Sequence, residues 1–137
     1  MKNLSVFIFV FSIYMLGHVS GGMFRIGNEL KSKKLLWVRC YSKDDVIGPN
    51  IIPIGEDCKV GFMANFWGTT RFMCTLKQGP HYKHYQNFTA FRQFNWFDEG
   101  NLWDWRARED GIYLNREGIF KHGKMHKVYD WLTSDVV

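Results

Sequence analysis

A two-residue period runs through most of the chain, and it constrains the fold more than any other feature. In "LWDWRAREDGIYL", 102–114, Trp103, Trp105 and Ala107 alternate with Asp104, Arg106 and Arg108. Successive side chains of a β-strand point to opposite faces, so this segment reads as a strand with one apolar and one charged face. The same alternation groups Leu36, Val38 and Cys40 in "LWVRCY", Cys58, Val60 and Phe62 in "CKVGFM", and Phe72, Cys74 and Leu76 in "TRFMCTL". In "HYQNFTAF", Phe88 and Ala90 point one way and Asn87 and Thr89 the other. "FRIGNEL" at 24–30 and "KVYDWL" at 127–132 add candidate edge strands. No segment sustains a helical period.

Turn signals separate these runs: "KDDVIGPN", "IPIGED", "NFWGTT", "KQGP", "DEGN" and "EDG". Short alternating strands punctuated in this way predict an all-β fold, a small antiparallel β-sandwich of about seven to eight strands. The expected core contains Val38, Val60, Phe62, Phe72, Leu76, Phe88, Trp103, Trp105 and Ile112. There is no repeat, low-complexity tract or linker, so one domain is expected.

The first stretch stands apart from that domain. Lys2 precedes the apolar run "LSVFIFVFSIYML", and "GHVSGG" follows. A charged start, an apolar centre and small residues at the end are the order of a secretory signal peptide. Val19 and Gly21 fit the small-residue positions before a cleavage site. Residues 1–21 are therefore read as a signal peptide and 22–137 as the mature domain. The apolar run is short for a bilayer span, and no later run approaches that length, so export without stable membrane insertion is expected. Lys2 leaves with the leader, so the charge falls from +5 to +4, with 17 Lys and Arg against 13 acids. A mild excess of this kind favours acidic surfaces, such as pectin-like walls or membrane head groups, without selecting one. A nucleic-acid partner is not expected, because the basic residues cluster only in "KSKK" and "KHGKMHK" rather than in a dense stripe.

The motifs that would carry catalysis or metal binding are weak. His81 and His84 form an H-x-x-H, and His122 and His126 an H-x-x-x-H, but no HExxH, CxxC or Cys/His quartet accompanies them. No metal or other cofactor is expected. The carboxylate pairs Glu56–Asp57, Asp98–Glu99 and Glu109–Asp110 lie beside Gly, and Asp44–Asp45 lies just before Gly48-Pro49, where acids shape turns. Adjacent strand residues point to opposite faces, so no such pair can serve as the facing carboxyls of a glycosidase. A secreted ribonuclease would use two histidines and a lysine, and nothing in the sequence sets two histidines on facing strands. There is no GxSxG elbow and no cysteine beside a plausible base.

Asn87-Phe88-Thr89 is a glycosylation sequon whose Asn87 lies opposite the core-facing Phe88 and Ala90. Cys40, Cys58 and Cys74 are the three cysteines. In an oxidising compartment a close pair should be bridged, and three cysteines leave one thiol over. Cys58 and Cys74 lie on consecutive strand segments, which commonly pair, so adjacency favours that bridge.

Three ordered motifs resemble a known family. "VRCYSKDDVIG", then "NFWGTTRFMC", then "WDWRAREDGIYL" resemble the plant self-incompatibility protein homologues, also called S-protein homologues. The matching positions are Cys40, Ser42 to Asp45, Asn65 to Thr70, Cys74, Trp105 and Glu109 to Tyr113, and "FRIGNEL" fits the family's first strand. The resemblance implies a small, secreted, non-enzymatic plant β-sandwich. Founding members of that family are pistil-secreted determinants that signal to a pollen membrane protein, so the implied partner is a plant membrane receptor or other cell-surface protein. The chain departs from the family in its cysteines. Members usually carry four, two of them before the final Trp-x-x-x-Glu-Asp-Gly; here "NWFDEGNLWDW" has none and Cys58 is extra. Cys40 and Cys74 occupy family positions, so the resemblance favours a Cys40–Cys74 bridge with Cys58 unpaired.

The leading expectation is a ligand-like binding protein; the rivals are a ribonuclease-like hydrolase and a carbohydrate-binding sandwich. Asp104, Arg106 and Arg108 are expected to form a solvated charged row, part of which is a candidate recognition surface.

Overall fold

The computed structural model describes residues 21–63, 71–92, 102–117 and 124–134. Residues 1–20 of the proposed leader, the "NFWGTT" motif, "NWFDEGN" and His122 lie outside them. Ten strands are described: β1 Gly21–Asn28, β2 Leu36–Tyr41, β3 Val46–Ile52, β4 Asp57–Met63, β5 Arg71–Gln78, β6 His84–Arg92, β7 Leu102–Arg108, β8 Gly111–Glu117, β9 His126–Tyr129 and β10 Leu132–Thr133. A single 3-10 turn, Pro80–Tyr82, links β5 to β6. No helix among the described residues is long and apolar enough to cross a membrane.

The strands form two five-stranded sheets, in the orders β4-β1-β7-β8-β9 and β10-β6-β5-β2-β3. Their apolar faces meet in one core, as the alternation requires. Val38, Val60, Phe72, Leu76, Phe88, Trp103, Trp105 and Ile112 are all buried, and the side chain of Phe62 lies outside the description. Rings carry much of the contact between sheets: Phe88 and Trp105 centroids are 4.5 Å apart, and Phe24 and Phe72 are 5.4 Å apart.

Three expectations need correction. "FRIGNEL" does not form an edge strand: β1 is interior, antiparallel to β4 and parallel to β7. That parallel pair departs from an otherwise antiparallel sandwich. It arises because β1 and β7 are far apart in sequence, so no hairpin dictates their direction. "KDDVIGPN" is a turn only at its start, where Ser42 N–H donates to the Asp45 carbonyl at 2.8 Å. The rest is β3, an edge strand containing Gly48 and Pro49, and the β2–β3 register shifts between Val38 and Cys40. Proline is tolerated at a sheet edge or bulge because its missing N–H breaks no ladder there. Gly48 has φ +91°, and a Cβ on it would sit 2.7 Å from the Val38 carbonyl oxygen, so only glycine fits this irregularity.

A second irregularity serves the core. Phe72 pairs with Phe91 but Met73 pairs with Thr89, which leaves Ala90 as the extra residue of a bulge. Its carbonyl, outside the regular ladder, accepts a hydrogen bond from Trp105 Nε1 at 2.8 Å. The largest core side chain thus keeps its polar atom satisfied while 1% exposed.

At one end of the sandwich a buried amide joins the sheets. Asn28, the last residue of β1, donates through Nδ2 to the carbonyls of Lys34 and Ile52 at 2.9 and 2.8 Å, and its Oδ1 accepts from Leu30 N–H at 2.9 Å. Its backbone N–H donates to the Glu56 carbonyl, and its carbonyl accepts from Gly55 N–H.

Cys40 and Cys74 are direct cross-strand partners on β2 and β5, with a Cα separation of 4.1 Å, and they form a disulfide. A Cys58–Cys74 bridge does not form: β5 pairs with β2, which sets Cys40 directly opposite Cys74, while β4 lies in the other sheet. Cys58 is a free thiol. It is half-buried rather than buried, since β4 is an edge strand, and Asn50 Nδ2 lies 3.9 Å from its sulfur. Burial raises its pKa above the ordinary thiol value, Asn50 opposes that, and Asp57 adds to it.

The core geometry predicts that Trp105→Ala costs about 3–5 kcal/mol, through a large cavity. Trp105→Phe should cost less, about 1–3 kcal/mol, mainly from the orphaned Ala90 carbonyl. Urea unfolding of both variants checks the order, and an unchanged midpoint for Trp105→Ala would contradict the placement. Thiol titration of the folded protein at neutral pH should find Cys58 slow to react, since its raised pKa keeps it protonated. Denaturation without reductant should expose one thiol, and peptide mapping should assign it to Cys58. Three titratable thiols would rule out the disulfide.

Candidate recognition surface

The outward face of the first sheet is an ordered ionic ladder. Its centre is Asp104 on β7, directly opposite Arg25 on parallel β1. Arg25 donates from Nε to Oδ1 at 3.0 Å and from Nη2 to Oδ2 at 2.6 Å. Arg106, two residues along the same face of β7, donates from Nε to Oδ1 at 2.9 Å and from Nη2 to Oδ2 at 3.2 Å. One carboxylate is therefore gripped by two guanidinium forks, the geometry in which arginine binds carboxylate best. Arg106 can lie this flat because its neighbour on β1 is Gly27: a Cβ there would come within 2.8 Å of Arg106 Nη1.

The alternation continues outward. Arg25 Nε is 3.9 Å from Asp57 on β4, and Arg106 Nη1 is 3.8 Å from Glu29. Glu29 accepts from Arg108 Nε at 2.7 Å. The Arg108 guanidinium lies 4.5 Å from the centre of the Tyr113 ring, and Tyr113 donates its hydroxyl to Asp110 at 2.8 Å. Lys127 on β9 pairs with Asp130. Trp131 Nε1 donates to the Arg108 carbonyl at 2.7 Å, which holds the segment after β9 against the end of β7.

This arrangement corrects the expectation of an open charged row. Asp104 is 3% exposed, covered by the Arg25 and Arg106 side chains that bind it. Strand alternation reports which face a residue is on, but not whether long neighbours fold over it; Arg25 and Arg106 do so here. Arg106 is half-buried; Arg108 and Glu29, with 39% and 38% of their side chains exposed, are accessible, as are Asp110, Lys127 and Asp130 at the rim. Arg25 and Glu29 join the surface without having stood out in the sequence, and Asp57 and Tyr113, noted there only in a turn pair and a family motif, join them, because these roles depend on strand neighbours far away in the chain.

The pairing shifts the titration of several ladder groups. Burial alone would raise the pKa of Asp104, but hydrogen bonds and charges from Arg25 and Arg106 outweigh it and hold the carboxyl below the ordinary range. The hydrogen bond to Glu29 raises Arg108 further. Lys34 Nζ, then Lys31 N–H, lower Glu109 in the β7–β8 turn. The Tyr113–Asp110 hydrogen bond lowers the acid and raises the phenol.

The remaining candidates are dispersed. His81 is exposed in the 3-10 turn with φ +54°, and His84 Nδ1 lies 3.2 Å from the Thr133 hydroxyl. Among the described residues, no three His, Cys, Asp or Glu side chains cluster as a metal site requires. Asp45 belongs to the β2–β3 turn, where its N–H donates to the Ser42 hydroxyl at 3.2 Å. Asn87 is exposed on the outward face of β6, in the other sheet, and Thr75 donates to its Oδ1 at 2.6 Å.

The sequence profile described as plant self-incompatibility protein S1 matches residues 23–131, from β1 past β9. The chain belongs to this plant self-incompatibility family. S-protein homolog 31 of Arabidopsis thaliana is 68% identical over 134 residues, covering 97% of this chain and 100% of that protein. S-protein homolog 17 of the same plant is 67% identical over 136 residues, with the same coverage. A solved protein, described as a self-incompatibility protein homologue, shares the fold with a TM-score of 0.67 at 21% identity, covering 86% of this chain and 99% of that one. The S1-family fold is thus the two-sheet sandwich described above.

Asp104→Asn tests the ladder. The depressed pKa means that ionised Asp104 contributes stability in full above its unfolded-state pKa of about 3.9 and loses it as pH falls through the lower folded value. The melting-temperature gap between wild type and variant should be constant above about pH 5 and close progressively below it. A gap that does not change with pH would show that the charge of Asp104 is not what the two arginines hold.

Proposed function

We propose that this protein is an exported, non-enzymatic ligand that binds a plant cell-surface protein through the charged face of its first sheet. One observation carries the reading. The acids Asp104, Glu29 and Asp110 of that face are each engaged by an arginine or a tyrosine. Such a surface presents a rigid pattern of charge and leaves these carboxylates unsuited to act as a general base, which must be free to take a proton. A fixed pattern gives an interface its orientation and its selectivity.

Family membership favours the same reading. The solved homologue is described as one of a widespread family of small, highly stable, secreted proteins from plants, and the charged, apolar and small-residue order of 1–21 supports export of this chain as residues 22–137. The contact region on this reading is the accessible end of the ladder, Arg108 with Glu29 and Arg106. Asp104 acts behind it, holding Arg106 in place.

Affinity capture from plant membranes with the mature protein tests the proposal. The expected result is saturable binding to a protein, weakened tenfold or more by Arg108→Glu, which corresponds to about 1.4 kcal/mol or more. Reversal of Arg108 places like charge beside Glu29 and across from any acid that Arg108 meets. Recovery of no membrane protein, together with turnover of RNA or polysaccharide, would overturn it.

A further inference from the structure

The second sheet's outward face differs in kind from the first. Leu132, Tyr85, Lys77, Trp37 and Ile51 are successive Cα partners across β10, β6, β5, β2 and β3. Directly opposed residues share a face, so they form one row across the whole sheet. Lys77 Nζ lies 4.6 Å from the centre of the Trp37 ring, within cation–π range. Leu132 and Ile51, at the two ends, are 45% and 47% exposed. Tyr85, Lys77 and Trp37 between them are half-buried, so the row leaves part of its apolar surface in contact with water.

Asn87 stands beside this row. Asn87 and Tyr85 lie two residues apart on the same face of β6, and Thr75 on β5 is Asn87's direct partner. Thr75 Oγ1 holds Asn87 Oδ1 at 2.6 Å, which turns Nδ2, on the other side of the amide, away from Thr75. Thr89, the hydroxyl residue of the sequon, projects from this same face, with Oγ1 3.1 Å from Met73 Sδ. Phe88 between them is 2% exposed in the core. A substituent on Asn87 Nδ2 therefore displaces nothing buried.

We propose that Asn87 is N-glycosylated and that its sugar lies over the Tyr85–Lys77–Trp37 row. The co-reactant is an oligosaccharide linked to a lipid through pyrophosphate, met in the secretory route before folding. Asn87 Nδ2 attacks C1 of the reducing-end sugar. The N–C1 bond forms as the bond from C1 to the pyrophosphate oxygen breaks, the amide gives up one proton to a base, and the lipid pyrophosphate leaves. No electrons are gained or lost. Tyr85 lies about 7 Å from Asn87 along the strand, within reach of the first sugar. Trp37 is two strands from β6, about 10 Å across the sheet, within reach of the sugars that follow. The C–H face of a sugar ring covers an aromatic ring and removes apolar surface from water. Its hydroxyls can accept from the Lys77 ammonium, a strong donor.

The inference rests on the export reading above, and one experiment separates the two. The full chain is expressed in plant cells, fractionated, and the secreted form analysed by peptide mass spectrometry before and after enzymatic removal of N-glycans. Glycan at Asn87, released with conversion of that position to an aspartate, is expected. Hydroxyl-radical footprinting then compares the glycoprotein with N87Q, and also with the enzymatically trimmed folded protein in case N87Q fails to fold. Oxidation of Trp37 and Tyr85 should be several-fold lower in the glycoprotein, while Tyr113 on the other sheet should be unchanged. A secreted chain with unmodified Asn87 overturns the site. A glycoprotein whose Trp37 and Tyr85 oxidise as fast as in the trimmed form overturns the cover. A chain left in the cytosol overturns both the export reading and this one.

Discussion

The two sheets are held in register at one end by the buried amide of Asn28. Its side chain reaches the end of β3 in the second sheet through the Ile52 carbonyl and the loop before β2 through the Lys34 carbonyl, while its backbone pairs with the β3–β4 turn at Gly55 and Glu56. Each of these backbone groups would otherwise need water or another partner at a site where Asn28 is 1% exposed. A buried polar group left unpaired costs about 1–3 kcal/mol, whereas a fully satisfied one specifies a single arrangement. Asn28 also lies at the end of the β1–β7 pairing, where it is opposite Ala107 and the next residue, Glu29, donates its N–H to the Ala107 carbonyl at 2.9 Å.

Parallel pairing of β1 and β7 lacks a hairpin to fix its register, and a slip of one residue would turn every side chain to the wrong face. Arg25 opposite Asp104 opposes such a slip, since it would carry the guanidinium into the core and strand the carboxylate. Partly buried ion pairs offset their desolvation cost only with good geometry, and they are weak evidence of stability in themselves. Here the two bidentate forks and the bare surface of Gly27 supply that geometry. The ladder's contribution is best understood as selection of register, with Trp105 and its neighbours supplying the bulk of the burial energy on the other side of the same strand.

Alternation was enough to identify the inward residues on β2, β5, β6, β7 and β8, because burial on one face is a local property of a strand. It was not enough for β3, where Gly48 and Pro49 carry a turn signature but sit on an edge that tolerates them. Nor did it reveal that β1 is interior, since strand order is a long-range property. Asp104 shows the limit most clearly. Its place on the outward face is legible from Trp103 and Trp105, but its burial depends on Arg25, which is 79 residues away. The cysteines follow the same division. Sequence adjacency pointed to Cys58 with Cys74, whereas the sheet order places Cys40 opposite Cys74. Family position carried the information about topology that adjacency lacked.

These constraints bear on how a charged face can recognise anything. Its members are already paired, so a partner gains little by adding one more exposed contact, which is worth about 0–1 kcal/mol. Discrimination must come instead from what the pattern penalises. Glu29 and Arg108 are close, opposite in sign and accessible to similar degrees. A partner that sets an acid against Glu29 or a base against Arg108 meets like charge held in place, and cannot relieve it by rotating a side chain that Arg106, Tyr113 and the backbone behind them keep ordered. On the proposed reading, a surface neutralised in this way would select its partner mainly by rejecting wrong ones, with the buried Asp104 holding Arg106 behind the exposed pair.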